Sequence, residues 1–547
     1  MQSAERRLPS HRTARDLALL IALTFAIHLP FIGQAFHLDD VYYLDVARNV
    51  FRNPLFPLDL QSVFEGKHLT LWAHSHPPIN SYVIATLLLV TNRTPSEKML
   101  HTGFLVFPIL IAAAFYFLAR QFVTKPLLAT ALLVTNPILS VCAHTLMTDV
   151  PHLAMWLSGT ALFVIGIAKD RIKMIYASAI PLTAACFYAY QGLGAILLLG
   201  FYALSRRRLR SREIFILCLP VLILAAWQFS GYAHRGTVYM SAMFGELGRR
   251  GWWQPTLKIR AAVITFAYLG AILVPFPFVF WRMLRRAKVL WTCIALALGS
   301  LAAYSQQADY SWLQQVFLIA CVSGGIALVG WTFRCLFTAS SLTKLSSHDL
   351  FLCLWLAGML VACITLFLGG SARYLLPACP AALLLFLRAD ERHNSSRSAA
   401  FYGSWLVVQL VLGLSLAQAD YQFAGLGRRE ALEFQRDYLA NHQPFLFNGE
   451  WGFRYYMTEI GGEITAEDTT GFPGETVVKS RLSLGRPFES DRNLELLEQR
   501  SYRIRSPLRL LDVHAHAGFW SDGWGVLPFW FSREDLDEIS IYRVKEK

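Results

Sequence analysis

The sequence predicts a polytopic α-helical membrane protein that ends in a soluble domain, and three observations lead to this fold class. Of the 547 residues, 55% are hydrophobic and only 16% are charged, whereas about one quarter of a soluble protein is usually charged. Apolar runs of about 18–22 residues, the length at which a helix crosses ~30 Å of hydrocarbon, recur through the first 418 residues. Residues 419–547 are instead mixed and polar, with turn clusters such as EIGGE and GFPGE.

The apolar runs predict thirteen membrane spans in a domain of residues 1–418. No small-residue cleavage site follows the first run, which therefore predicts a retained anchor and not a signal peptide. The predicted spans lie at about 16–36, 99–119, 127–147, 151–168, 173–190, 192–205, 213–230, 258–281, 289–304, 311–333, 349–368, 374–388 and 400–418.

The charges of the loops predict which end of each span faces the cytoplasm. Short segments rich in Lys and Arg, such as RRRLRSR (206–212) and RMLRRAK (282–288), alternate with segments that are poor in both. By the positive-inside rule the basic segments are cytoplasmic. The net charge of +13 is therefore explained by the basic loops that orient the spans, and it predicts no nucleic-acid partner. The run at 79–90 is too short to span, at about 18 Å of helix, and predicts an interfacial or re-entrant helix inside one external loop, 37–97.

The odd number of spans predicts an external C-terminus. The mixed, polar composition of residues 419–547 predicts a soluble α/β or β-rich domain there. Alternating segments such as LRLLDVHAHAGFW (508–520) predict strands there. On such a strand His514 and His516 would share one face. That pair has no visible third metal ligand.

Polar side chains gather at the predicted external ends of the spans. Three acids follow spans 1 and 3, in FHLDD and LMTDVP, and an arginine precedes a tyrosine at the end of span 11, in GGSARYLLP. The first external loop adds basic side chains in FEGKH and WAHSHPPINSY. These residues are Asp39, Asp40, Asp149, Arg373, Tyr374, Lys67, His74 and His76.

This combination predicts group transfer from a lipid phosphate at the outer surface of the membrane. A carboxylate can deprotonate a hydroxyl or amine nucleophile, and an arginine can bind a phosphate by two parallel hydrogen bonds. Simpler interpretations stay open at this point. The acids could cap helices, HSHPP could form a plain turn, and the arginine could be an interface anchor.

The order of these motifs resembles the GT-C integral-membrane glycosyltransferases over roughly residues 15–420. The similar branch is glycosyltransferase family 39, the protein O-mannosyltransferases and the bacterial aminoarabinose transferase of lipid A. The resemblance rests on an Asp-Asp pair after span 1, His-Pro-Pro before a short apolar run, Thr-Asp-Val-Pro after span 3 and a late Arg-Tyr-Leu-Leu-Pro. It implies the GT-C fold, a polyprenyl-phosphate-linked sugar donor, an inverting transfer on the periplasmic face of a bacterial inner membrane, and a soluble periplasmic tail.

The resemblance also implies roles for individual residues. Asp39 would be the base toward the acceptor, with Asp40 orienting the acceptor or the fold, and Asp149 would be the second external acid. Arg373 would bind the donor phosphate together with Tyr374, His76, His74 and Lys67. His76 stands where the aminoarabinose branch has a lysine, which leaves the donor sugar open. No cofactor is implied with certainty, and a divalent metal at Asp149 stays open.

Other interpretations remain at the level of sequence. The acceptor could be a periplasmic lipid, a protein or a cell-envelope glycan. A transporter or flippase of lipid-linked sugars is the alternative function, although no internal repeat of the transporter kind is visible, and a membrane-anchored binding protein is a third. Arg249 and Arg250, in the external loop 235–254, could contact a lipid phosphate or only headgroups.

Overall fold

The computed structural model describes residues 10–71, 76–273, 310–338, 346–392, 399–438 and 444–546. Apolar helices fill the first four fifths of the chain. The helices in chain order are α1 (Ser10–His28), α2 (Asp40–Val50), α3 (Ile79–Leu88), α4 (Glu97–Phe104), α5 (Val106–Ala119), α6 (Pro126–Val134), α7 (Pro137–Cys142), α8 (Asp149–Lys169), α9 (Ile172–Tyr188), α10 (Gly192–Ser205), α11 (Ser211–Arg235), α12 (Tyr239–Arg249), α13 (Pro255–Tyr268), α14 (Trp312–Thr338), α15 (Ser347–Thr365), α16 (Cys379–Arg392), α17 (Ala399–Tyr438) and α18 (Trp451–Glu459).

The chain is a multi-pass integral membrane protein. Within the described residues, nine helical segments are long and apolar enough to cross a membrane. They are His11–Phe31, Glu97–Ala119, Asp149–Lys169, Ser211–Arg235, Pro255–Leu273, Trp312–Gly330, Ser347–Thr365, Ala372–Arg392 and Ala399–Tyr438. Each coincides with a predicted span. Two further predicted spans, 173–190 and 192–205, form the shorter apolar helices α9 and α10, and the predicted span 289–304 lies outside the described residues.

The predicted span 127–147 is not one helix. Helix α6 ends at Val134, the side chain of Asn136 caps α7 by accepting a hydrogen bond from the Ile138 amide (3.0 Å), and Pro137 begins α7. A proline lacks the N–H that a continuous helix would need and is favoured at the first turn. Helix α7 ends at Cys142, and the irregular residues 143–148 that follow it approach the first loop, where the Leu146 amide donates to Asp40.

The C-terminal part is a mixed sheet domain. Its five-stranded sheet has the order β4-β3-β5-β11-β6, in which β3 is parallel to both neighbours and β11 is antiparallel to β5 and β6. The strands are β3 (Phe445–Asn448), β4 (Gly462–Ile464), β5 (Thr476–Ser480), β6 (Leu494–Tyr502) and β11 (Asp537–Val544), with the two-residue strands β7 (Leu508–Arg509), β8 (Leu511–Asp512), β9 (Ala517–Gly518) and β10 (Trp530–Phe531) between them.

Two features of this domain differ from the pattern predicted by the sequence. Helix α17 continues twenty residues beyond position 418 and packs against the sheet domain through buried residues such as Phe434. His514 and His516 lie in the turn 513–516 between β8 and β9, so the expectation that they share one face of a strand is wrong. Two-residue strands joined by a tight turn replace the single long strand.

The first loop lies between the helices and the sheet domain. It contains α2, the antiparallel hairpin β1 (Gln61–Phe64) and β2 (Lys67–Thr70), and the short helix α3. The Tyr42 hydroxyl donates to Glu450 (2.5 Å), and Arg454 of α18 lies 3.5 Å from Asp45 of α2. These contacts hold the helix that follows the Asp-Asp pair against the sheet domain.

Candidate active site

Asp39 stands at the turn into helix α2 and faces a cavity. It occupies the N-cap position, yet its side chain makes no capping hydrogen bond, which argues against a purely capping role. Leu38, the residue before it, has a left-handed φ of 50°, a conformation that costs a non-glycine residue on the order of 1–3 kcal/mol. The turn leaves the Asp39 side chain 25% exposed while the neighbouring Asp40 is fully buried.

Arg373 approaches both Asp39 and Asp149. It belongs to a 3₁₀ helix, Ala372–Ala378, which leads directly into α16. One terminal nitrogen, Nη1, lies 3.4 Å from Asp39 Oδ2 and 3.9 Å from Asp149 Oδ2, and Nη2 lies 3.5 Å from Asp39 Oδ2. The structure thus brings together three residues that are up to 334 positions apart in the chain.

The guanidinium of Arg373 retains donors for a ligand. Its Nε is buried and has no hydrogen-bond partner among the described residues, and its contacts with Asp39 are at the long end of the hydrogen-bond range. Arginine presents five N–H donors in a planar fork. A bound anion with several acceptor oxygens would satisfy the donors that the protein leaves unused.

Asp149 is the first residue of α8, preceded by Thr148 at the N-cap position. A carboxylate in the first turn is stabilised by the helix dipole, so part of its role is structural. Its side chain is nevertheless 20% exposed and near Arg373. The second carboxylate therefore helps to fix the guanidinium, at the same nitrogen that approaches Asp39.

Asp40 points away from the cavity and connects two segments of the site. Its two oxygens accept hydrogen bonds from the Leu146 amide (2.7 Å) and the His37 amide (3.1 Å). Leu146 lies three residues before Asp149, so one buried carboxylate holds the segment of Asp149 beside the turn of Asp39. The structure gives Asp40 the geometry of a positioning residue.

His37 extends this buried network toward the sheet domain. Its Nε2 lies 3.2 Å from Asp420 of α17 and its Nδ1 lies 3.6 Å from Asp40. Burial alone would lower the pKa of His37, but the neighbouring carboxylates of Asp420 and Asp40 outweigh it and raise the pKa to about 10. Asp420 also accepts a hydrogen bond from Nε1 of Trp520 (2.6 Å), so the network reaches the cavity wall.

The loop 518–525 of the sheet domain docks on the segment that carries Arg373. The Ala372 amide donates to the Phe519 carbonyl (2.8 Å), and the Asp522 amide donates to the Gly370 carbonyl (3.0 Å). Arg260 of α13 approaches the Asp522 carboxylate to 3.2 Å. The sheet domain therefore takes part in positioning the arginine at the end of a membrane span.

The cavity beside Asp39 and Arg373 has a volume of about 260 Å³ and is lined by four parts of the chain. Aromatic side chains of the sheet domain form one wall. The lining residues on which the site depends are Asp39, Arg373, Tyr374, Phe64, Glu65, Glu246, Arg250, Trp451, Trp520 and Trp524. An anionic group, a ring-shaped ligand or both can be accommodated between the guanidinium and these aromatic rings.

Two ion pairs join separate segments at the rim of this cavity, and a third lies within one of these segments. Arg250, which directly follows α12, lies 3.3 Å from Glu65 of the hairpin turn and 3.3 Å from Glu246 of its own helix. Arg486 of the sheet domain lies 3.0 Å from the other oxygen of Glu65. Of the two arginines that the sequence left open between a lipid phosphate and headgroups, Arg250 lines the cavity and Arg249 is 74% exposed.

The remaining predicted phosphate-binding residues are spread over different places. Tyr374 lines the cavity, with its ring stacked on Phe367 at 3.8 Å. His76 lies in a separate small cavity with its ring 6.4 Å from that of Tyr43, and Lys67 is exposed at the hairpin turn. His74 lies outside the described residues.

The described ranges contain no group of three or more His, Cys, Asp or Glu side chains that could hold a metal ion. Glu65 and Glu246 of the cavity are paired with Arg250, and Asp39 and Asp149 lie 3.4 and 3.9 Å from Arg373. A metal bound between them would have to displace the guanidinium. The arrangement favours a site in which the arginine supplies the positive charge.

No family model matches the chain, and no curated protein matches it. Among solved structures, the archaeal oligosaccharyltransferase AglB from Archaeoglobus fulgidus, in complex with an inhibitory peptide and a dolichol-phosphate, has 12% identity and a TM-score of 0.45, with 85% of this chain and 61% of that chain covered. This chain thus spans about three fifths of that structure's length. ArnT from Cupriavidus metallidurans bound to undecaprenyl phosphate has 13% identity and a TM-score of 0.41, with 87% and 94% covered. Arabinofuranosyltransferase AftD from Mycobacteria has 12% identity and a TM-score of 0.41, with 99% and 40% covered. TM-scores below 0.5 leave the function to be argued from the residues of the chain itself.

Proposed function

We propose that this chain is a glycosyltransferase that moves a sugar from a polyprenyl-phosphate donor to an acceptor at the membrane face that carries the sheet domain. The supporting observation is the position of the Arg373 guanidinium, 3.4 Å from Asp39 and 3.9 Å from Asp149, beside a cavity at the ends of the spans. With the orientation that the loop charges predict, this face is periplasmic and the enzyme lies in a bacterial inner membrane. The acceptor is a lipid, a protein or a glycan of that compartment.

The chemistry is a single displacement at the anomeric carbon of the donor sugar. The acceptor oxygen or nitrogen forms a bond to this carbon as the bond from the carbon to the phosphate oxygen breaks. The electron pair of the broken bond leaves with the lipid phosphate, and the proton of the acceptor passes to Asp39. Attack opposite the leaving group inverts the configuration of the sugar.

Arg373 stabilises the leaving phosphate in this scheme. Two parallel charge-assisted hydrogen bonds from a guanidinium match the geometry of a phosphate. The donor phosphate then competes with Asp39 for the same nitrogens, so that donor binding releases the Asp39 carboxylate to act as a base. Asp149 keeps the guanidinium oriented during this exchange.

A lipid-linked donor and the acceptor would reach the site from different directions. Arg373 precedes α16, whose apolar residues belong to a membrane span, so a polyprenyl tail would extend alongside the helices. Glu65, Trp520 and Trp524 bound the cavity on the side of the first loop and the sheet domain. An acceptor would enter from that polar side.

The proposal is tested by the lipids that accumulate when the gene is removed. A deletion strain is expected to accumulate a sugar linked to polyprenyl phosphate, identified by mass spectrometry, and the wild-type gene is expected to clear it. Asp39→Asn, expressed to the same level in the membrane, should not clear it. The matched control is Asp170→Asn, the same chemical change at an exposed carboxylate on the opposite end of α8, which should clear it. If Asp39→Asn clears the lipid as the wild type does, the proposed role of this carboxylate is wrong.

A further inference from the structure

A second cleft, of about 630 Å³, lies over one face of the five-stranded sheet. Its floor is formed by residues that alternate along β11 with the buried Ile539 and Ile541, since successive side chains of a strand point to opposite faces. Lys479 of β5 stands opposite Ser540 of β11. The polar and aromatic residues that line the cleft include Lys479, Arg481, Asp491, Glu538, Ser540 and Tyr542.

Arg481 is the cation of this cleft with the most donors to spare. Its side chain is 45% exposed and its nearest carboxylate oxygen, on Glu538, is 4.0 Å away. Lys479, by contrast, is paired with Asp491 and lies 5.2 Å from the ring centre of Tyr542. The guanidinium of Arg481 can therefore bind an external anion without first breaking a short ion pair.

The cleft adjoins the cavity of Asp39. Leu484 and Trp524 line both spaces. Arg486, at the edge of the cleft, binds Glu65, at the rim of the cavity. A ligand held over the sheet face can thus extend across this shared wall toward the reacting carboxylate.

We propose that this cleft binds the acceptor and that the acceptor is a saccharide bearing an anionic group, a phosphate or a carboxylate. This inference rests on the proposed function and specifies its acceptor. Arg481 would bind the anionic group through its planar fork, and Ser540, Glu538 and the Tyr542 hydroxyl would bind sugar hydroxyl groups. The Tyr542 ring adds an apolar surface next to a polar tip, which suits the mixed surface of a sugar ring.

The position of the cleft favours a saccharide over an extended peptide. Peptides that bind to sheets commonly add a strand at an exposed edge. Strands β5 and β11 are interior strands in the order β4-β3-β5-β11-β6, so their main-chain groups are already paired. A ligand in this cleft meets side-chain hydroxyl groups and charges instead of a free strand edge.

Binding is measured on the full-length protein in detergent by calorimetry with five probes: glucose 1-phosphate, glucuronate, glucose, inorganic phosphate and a penta-glutamate peptide. The two anionic sugars should bind at least about ten-fold more tightly than glucose, since hydrogen bonds to a charged group are stronger than those between neutral groups. They should also bind more tightly than inorganic phosphate. Arg481→Glu should abolish this preference and Arg481→Lys should restore part of it. The control Arg505→Glu changes an exposed arginine of the same domain outside the cleft and should leave binding unchanged.

Several results would overturn the inference. Equal binding of inorganic phosphate would indicate a simple anion site, tighter binding of penta-glutamate would indicate a peptide site, and insensitivity to Arg481→Glu would place the sugar elsewhere. Binding of polyprenyl phosphate is measured in parallel on the wild type and on Arg373→Ala. If that lipid fails to bind, the proposed function fails, whereas failure of the sugars alone removes only the acceptor assignment.

Discussion

Removing the guanidinium of Arg373 should abolish the interaction with the leaving phosphate. The residue lies within 3.5 Å of Asp39 through both terminal nitrogens, and its Nε has no partner among the described residues. Two parallel bonds to a phosphate at about 1.5–3 kcal/mol each amount to ~3–6 kcal/mol. At about 1.4 kcal/mol per factor of ten, Arg373→Ala should lower kcat/KM roughly 100- to 10,000-fold. Repulsion of the phosphate by the two remaining carboxylates would increase the loss.

The assay measures two quantities on protein in nanodiscs: the affinity for polyprenyl phosphate and the rate of sugar transfer from the donor that accumulates in the deletion strain. Arg373→Lys keeps the charge but loses the planar fork, so it should retain part of the affinity and recover transfer poorly. Arg249→Ala is the matched control, because it removes a neighbouring cation whose side chain is 74% exposed. Retention of both quantities within two-fold in Arg373→Ala, with the melting temperature unchanged, would refute the assignment.

Three further predictions concern groups that hold the site and the sheet domain in place. The pKa of His37 is raised from 6.5 to about 10, so the folded state binds more protons than the unfolded state between these pH values. The melting temperature should therefore fall as the pH rises from 6.5 to 10. Asp420→Asn should make this fall smaller, and a wild-type melting temperature that does not fall over this range would contradict the pairing of His37 with the carboxylates. Asp40→Asn should lower the free energy of unfolding by about 1–3 kcal/mol, since the hydrogen bond from the Leu146 amide would then go to a neutral oxygen instead of a carboxylate. An unchanged denaturation midpoint would argue against the positioning role of Asp40. Burial raises the pKa of Asp537 above its usual value, so the free energy of unfolding should decrease as the pH rises above that usual value, and Asp537→Asn should make this decrease smaller in a pH titration.

The sequence could predict that the acids and the arginine lie at the same face of the membrane, because this depends on the topology of the spans alone. Alternating basic segments place every second loop on one face, so Asp39, Asp149 and Arg373 were expected at the same membrane surface. The structure brings these three side chains together. Their chemical roles remain proposals, since contact distances do not assign a base.

The different positions of Asp39 and Asp40 could not be predicted from two adjacent identical residues. The difference depends on the left-handed turn at Leu38 and on the Leu146 amide, which reaches Asp40 from the irregular residues after α7. The predicted span is already broken after α6. The Asn136-Pro137 dipeptide is a turn signal that would have indicated this break. Its apolar surroundings favoured a continuous span instead.

The wall that the sheet domain contributes to the cavity is the largest feature that the sequence did not indicate. Trp520 and Trp524 are about 150 positions from Arg373, and nothing in their local pattern places them there. Beside the side-chain contacts of Asp522 and Trp520, the docking includes hydrogen bonds between main-chain groups of Ala372 and Phe519 and of Gly370 and Asp522. Such contacts are independent of side-chain identity and therefore leave no readable pattern in one sequence.

The most direct test is a structure of the full-length protein with polyprenyl phosphate bound. We expect the phosphate oxygens within about 3 Å of the Arg373 nitrogens, with the Asp39 carboxylate released toward the cavity and the lipid tail along the membrane helices. A phosphate bound elsewhere, with Arg373 still paired to Asp39, would contradict the account.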